Sequence, residues 1–157
     1  MVSQLESPSQ SEVIYPDSDG QPMTNNTTQF RWIVVIQQKL DWLFADEPNV
    51  FVAGDLFWYP VQEKPNMVNA SDIMVVFGRS KSDSLRDSFA VIAPCYANAS
   101  RGSYQQWNEG NIAPQVVFEI LSPSNTQDEM DRKLLFYERY AVKEYYIYDP
   151  ILVMICS

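Results

Sequence analysis

The chain first becomes periodic at about Gln29, where Phe30, Ile33, Leu40, Leu43 and Phe44 recur at helical spacing. The spacing predicts a helix to about Asp46, with Thr27 or Thr28 as N-cap and Pro48 just beyond its end. A strand-like run follows from Val50 to Trp58, interrupted at Gly54-Asp55, and Pro60 opens a polar turn or loop. Asp72 to Phe77 is a short β-branched run closed by Gly78, a buried strand with an acid at its mouth. From Arg79 to Asn111 the pattern is weak, apart from a possible short strand at Phe89 to Ala93. Gln115 to Leu121 is the clearest strand. Val116, Phe118 and Ile120 share one face, and Val117, Glu119 and Leu121 share the other. Both faces are mostly apolar, as in a central, covered strand. Ser122 to Asn125 turns the chain and caps a helix from about Gln127 to Ala141, and Tyr145 to Tyr148 forms a further strand. Strand, helix and strand at this spacing form a βαβ unit with a parallel pair.

Composition narrows the chemistry. The 157 residues suit one domain, and 46% apolar content suffices for a core. There is no histidine, which excludes Ser-His-Asp and Cys-His nucleophilic sites, HExxH zinc sites and His-metal nucleases. Cys95 and Cys156 make neither a disulfide framework nor a CxxC clip, which fits a reducing cytoplasm. No apolar run reaches the ~18 residues of a membrane span. Net charge is −9, so a broad basic face for nucleic acid is absent from the composition. Residues 1–28 carry acids but no Lys or Arg, and read as an acidic N-terminal tail or surface loop ahead of a domain spanning 29–157. The segment Arg79 to Arg101 is locally basic, a candidate source of positive field.

Three residues stand out for chemistry. Glu119 lies inside Val-Val-Phe-Glu-Ile-Leu, where a carboxylate is costly unless paired, protonated or bound to a cation. A salt bridge to a covering helix explains it equally well. Asp72 opens another apolar strand; two acids presented by neighbouring strands make a hard-oxygen site suited to Mg²⁺. Lys133 lies at the margin of a helical stripe made of Met130, Leu134, Tyr137 and Ala141. It either snorkels or pairs with Glu129, or its ammonium reaches the strand end near Glu119. Asp55 beside Gly54 marks a bulge or bend rather than a ligand.

The string Gln115-Val-Val-Phe-Glu-Ile-Leu-Ser-Pro-Ser124, with Lys133, Tyr137 and Val142-Lys-Glu-Tyr-Tyr-Ile-Tyr-Asp-Pro150, closely resembles the Uma2-type proteins. Tyr15 to Gly20, Phe30 to Ile33, Phe51 to Leu56 and Asp72 to Gly78 resemble the same group, in the same order. That family is abundant in cyanobacteria and belongs to the PD-(D/E)xK restriction-endonuclease-like superfamily. The resemblance implies an α/β fold with a mixed central sheet flanked by helices. It also implies Mg²⁺-dependent (or Mn²⁺-dependent) hydrolysis of DNA phosphodiesters by an activated water. By position, Asp72 and Glu119 are the metal-holding acids, and Lys133 is a catalytic lysine moved from the usual place, here Leu121, to the following helix. A homodimer is the expected form for cutting a duplex. Ser71 stands where proline is usual, and Asn25 where relatives often carry an acid. The stretch of about 82–100 reads as an insertion, and the apolar stub 151–157 as the mark of a truncated copy. The alternative function is a catalytically impaired member that only binds or packs.

Overall fold

A computed structural model describes residues 13–15, 27–79 and 103–151. Its elements are helix α1 (Thr27–Leu43), strands β1 (Val50–Tyr59), β2 (Asn69–Phe77) and β3 (Ser103–Gln105), strand β4 (Val116–Ile120), helix α2 (Gln127–Arg139) and strand β5 (Glu144–Tyr148). A single 3₁₀ turn, Gln106–Asn108, follows β3. The five strands form one sheet in the order β3-β1-β2-β4-β5. β1 runs antiparallel to β2, and β2 to β4, whereas β1 with β3 and β4 with β5 are parallel. The βαβ unit β4-α2-β5 is thus a parallel pair in register from Val116↔Glu144 to Ile120↔Tyr148.

Each helix covers one face of the sheet. Ile33 of α1 is buried with Val50, Val52, Ile73, Val75 and Ile120, and Trp32, Ile36, Leu40 and Phe44 close over them. Phe30 and Leu43, expected in that stripe, lie at its margins and are largely exposed. On the opposite face Tyr137 of α2 packs with Ala53, Trp58, Met74, Val76, Tyr104 and Val117. Strand alternation therefore sorts β4 as its sequence predicts, with Val117 facing α2 and Ile120 facing α1.

Several boundaries differ from the sequence reading for identifiable reasons. Helix α1 already includes both Thr27 and Thr28, so neither residue is its cap. β2 begins three residues before Asp72, because Asn69, Ala70 and Ser71 pair with Trp58, Phe57 and Leu56. Asp72 is therefore inside the strand rather than at its mouth. The ladder runs from Val50↔Phe77 to Gly54↔Ile73 and resumes at Leu56↔Ser71, with no added residue on either strand. Asp55 lies in that gap with a φ of 48°, so the Gly54-Asp55 interruption is a bend rather than a bulge. Ala53 and Trp58 both pack toward α2, an odd and an even position, which shows the alternation changing phase at the bend. The candidate strand Phe89 to Ala93, the 82–100 insertion and residues 152–157 lie outside the described residues. No helix among the described residues is long and apolar enough to cross a membrane.

The N-cap of α2 is Thr126, one residue past the expected Ser122–Asn125 turn; its hydroxyl accepts from the Glu129 N–H at 3.3 Å. Asp128 and Glu129 in the first turn complement the positive end of the helix dipole. Thr126→Ala should lower unfolding free energy by about 1 kcal/mol, read by urea denaturation, while Thr126→Ser should be close to neutral.

Candidate active site

The site is built where β2, β4 and α2 meet. Extending the β2–β4 register by one step beyond Ile73↔Phe118 sets Asp72 opposite Glu119. Cross-strand neighbours of this kind share a face, with Cβ atoms about 4.5–5.5 Å apart. Glu119 is 2% exposed and sits among the largest fully buried side chains.

Helix α2 supplies the partners of Glu119. The Lys133 Nζ donates to Glu119 Oε2 at 2.7 Å and to the Ala70 carbonyl at 3.3 Å. The Tyr137 hydroxyl donates to Glu119 Oε1 at 2.5 Å. Lys133 and Tyr137 are four residues apart, so both reach the same carboxylate from one helix face. Lys133 does not pair with Glu129, whose carboxylate instead accepts from Asn125. Leu134, expected in the inward stripe, is 46% exposed. Met130 and Tyr137 are buried, and Phe136 and Tyr140 pack beside them. At about 100° per residue, Met130, Phe136, Tyr137 and Tyr140 surround Lys133 in angle and leave Leu134 outside. The lysine is therefore near the middle of the buried face rather than at its margin.

Asp72 is held differently. Its Oδ2 accepts the Ile120 N–H at 2.7 Å and the Gln29 side-chain amide at 3.4 Å. The same Gln29 Nε2 donates to the Ile120 carbonyl at 2.9 Å. Helix α1 thus enters the site through Gln29, from the side opposite α2.

Electrostatics bind the two acids into one unit. Burial pushes the Glu119 carboxyl up to about 7; Asp72 adds to that rise, while Lys133 and the Tyr137 hydrogen bond oppose it. Asp72 is raised as well, first by burial and further by the charge of Asp55, against the Ile120 N–H, Lys133 and Gln29. The Tyr137 phenol is raised by burial and by Glu119, so it keeps its proton and stays a donor.

Arg79 forms an ion pair with Glu109. The other cations of the locally basic stretch, Lys81, Arg86 and Arg101, lie outside the described residues. An open groove of about 310 Å³ lies along the start of α1, lined by Thr27, Thr28, Arg31, Trp32 and Val35. Trp32 also packs against Tyr148 at the end of β5, with ring centroids 4.7 Å apart.

Among the described residues, no group of three or more His, Cys, Asp or Glu is placed to hold a metal ion. The oxygen donors here are two carboxylates, Asp72 and Glu119, and the Ile120 carbonyl, which shares the Gln29 amide with Asp72. Mg²⁺ takes one or two carboxylates and fills its remaining positions with water and phosphate oxygens, so this donor set suits it. Two residues of the site have no assigned role in the sequence reading. Tyr137 enters the sequence reading as an inward helical position and as part of the family resemblance but with no role at the site, although its spacing from Lys133 places it on the same helix face. Gln29 carried no signal, since an amide in a first helical turn is ordinary until the fold sets it against β2 and β4.

A mixed sheet with a helix on each face, and a buried Glu–Lys–Tyr cluster beside a second acid, defines an α/β protein with a buried acid pair at a strand junction. The Uma2 family model, described as "putative restriction endonuclease", matches residues 18–153, and the chain belongs to that family. Among solved structures, the chain resembles one titled a putative nuclease belonging to DUF820 from Anabaena variabilis, with a TM-score of 0.53 and 16% identity. The match covers 85% of this chain and 64% of that one, so this chain spans less than two thirds of its length. At that identity the likeness is one of fold: a mixed α/β architecture shared with that structure. No curated protein matches the chain.

Proposed function

We propose that the chain is a divalent-metal-dependent DNA endonuclease in which Asp72, Glu119 and the Ile120 carbonyl would hold Mg²⁺ or Mn²⁺ and Lys133 is the catalytic lysine. The observation that carries this reading is the 2.7 Å contact between Lys133 and a Glu119 carboxylate that is only 2% exposed. A lysine and two acids of this kind are expensive to assemble in a core, and packing alone does not require them. When bound, the ion supplies Lewis acidity toward the phosphoryl group and lowers the pKa of water. Lys133 orients a water and balances negative charge developing on the phosphate. Tyr137 fixes the Glu119 carboxylate so that one oxygen stays turned toward the lysine. Arg31 and Trp32 in the α1 groove offer a cation and an aromatic face to a nucleic-acid strand. Family membership supports the same reading. The protein acts as a dimer when it cuts both strands of a duplex, and it works in the cytoplasm.

The non-catalytic reading draws on one observation: among the described residues, no third acid joins Asp72 and Glu119 in a group placed to hold a metal. Supercoiled-plasmid nicking with Mg²⁺ separates the two. Wild type should convert plasmid to open circles, and Asp72→Ala should lose at least about 100-fold in rate. Equal nicking by Asp72→Ala and wild type would assign the activity to a contaminant and leave the binding-module reading.

A further inference from the structure

Gln29 occupies an unusual position. Its amide nitrogen donates to both Asp72 Oδ2 and the Ile120 carbonyl oxygen, at 3.4 and 2.9 Å. Both partners are acceptors only, so the chemistry of the contact fixes which end of the amide faces them. These are also two of the three oxygens assigned to the metal above. An NH₂ group carrying partial positive charge therefore fills the space between oxygens that a cation would bridge.

We infer that Gln29 is a built-in stand-in and switch for the metal: its NH₂ group holds Asp72 and the Ile120 carbonyl in register without the ion, and its amide turns to offer Oε1 when the ion enters. The inference rests on the metal site of the proposed function. Its physical basis is a reversal of polarity. A divalent ion beside the NH₂ group is repelled, whereas the same side chain rotated about its last torsion presents a hard neutral oxygen, of the kind Mg²⁺ and Mn²⁺ accept. The torsion is broad and two-fold, so the turn itself costs little. Anchorage of α1 is a second consequence, because Gln29 joins its first turn to both β2 and β4. Ion entry thus exchanges one tie between α1 and the sheet for another. The groove beside Gln29, lined by Arg31 and Trp32, is carried on the same turns of helix.

The test is calorimetric titration with Mn²⁺ together with metal-free thermal melting, on wild type, Gln29→Glu and Gln29→Leu. Gln29→Glu puts a charged oxygen where the amide stands. It should bind Mn²⁺ at least tenfold more tightly and melt about 4 °C or more lower without metal, with Mn²⁺ restoring the loss. Gln29→Leu has neither donor nor oxygen. It should melt lower without metal and bind Mn²⁺ at least fivefold more weakly, which keeps the test decisive if the Glu variant fails to fold. Affinities of both variants within twofold of wild type would overturn the role of Gln29 while leaving the metal site standing. A wild type that binds no Mn²⁺ would remove the metal site itself, and the switch with it.

Discussion

Lys133→Met should lower the unfolding free energy by on the order of 1 kcal/mol more at pH 8 than at pH 5, with nicking reduced at least about 100-fold. The asymmetry comes from the partner left behind. Lys133 gives Glu119 its nearest positive charge, at 2.7 Å, and Glu119 is 2% exposed. Without that charge the buried carboxylate must stay ionised and unpaired or take up a proton, and both cost free energy at pH 8. At pH 5 the cost is small, because Glu119, pushed up to about 7 by burial, is already protonated in wild type. Met conserves much of the aliphatic stem, so lost packing contributes little. Urea denaturation at the two pH values checks this. Equal losses at both would mean that Lys133 acts only through its stem.

Glu119→Gln should abolish metal-dependent cleavage, by about 1000-fold or more, while making the metal-free protein more stable near neutrality. The sign follows from linkage. Glu119 titrates near 7 in the folded chain against an ordinary value of 4.5, so the folded state holds the proton more tightly. Its contribution to stability is full below pH 4.5 and is lost as pH rises to about 7. The loss is on the order of 3 kcal/mol in wild type. Asp72, also raised by burial, adds to the slope in the same direction. Gln has no proton to lose, so the variant should show a much flatter profile across that window. Measured unfolding free energies from pH 4 to 8 would reveal it. A wild-type protein whose stability rises over the same interval would contradict the burial of an ionisable Glu119.

Much of this arrangement could be read from the residue order. The run Val116 to Ile120 announced a two-faced strand, and an acid inside it was conspicuous because carboxylates are costly there. Strand, helix and strand at that spacing set the parallel β4–β5 pair. Other features needed the fold. Leu134 fits a 3.6-residue repeat as well as Lys133 does, and only the position of α2 over Trp58 and Val117 decides which faces inward. Asp72 looked strand-initial because Asn69, Ala70 and Ser71 are weak strand formers, yet pairing with β1 overrides their propensity. β3 is only three residues long, too short for any periodicity to announce it. Gln29 was invisible for a simpler reason. Its importance lies in contacts 43 and 91 residues away along the chain, and nothing local encodes them.

The most direct measurement is a calorimetric titration of Mn²⁺ into the metal-free wild type, Asp72→Asn and Glu119→Gln at pH 8. Two carboxylates that grip a divalent ion predict saturable binding by wild type and none measurable by either variant. Indistinguishable isotherms for all three proteins, or no binding by any, would contradict the assignment of Asp72 and Glu119 to a metal.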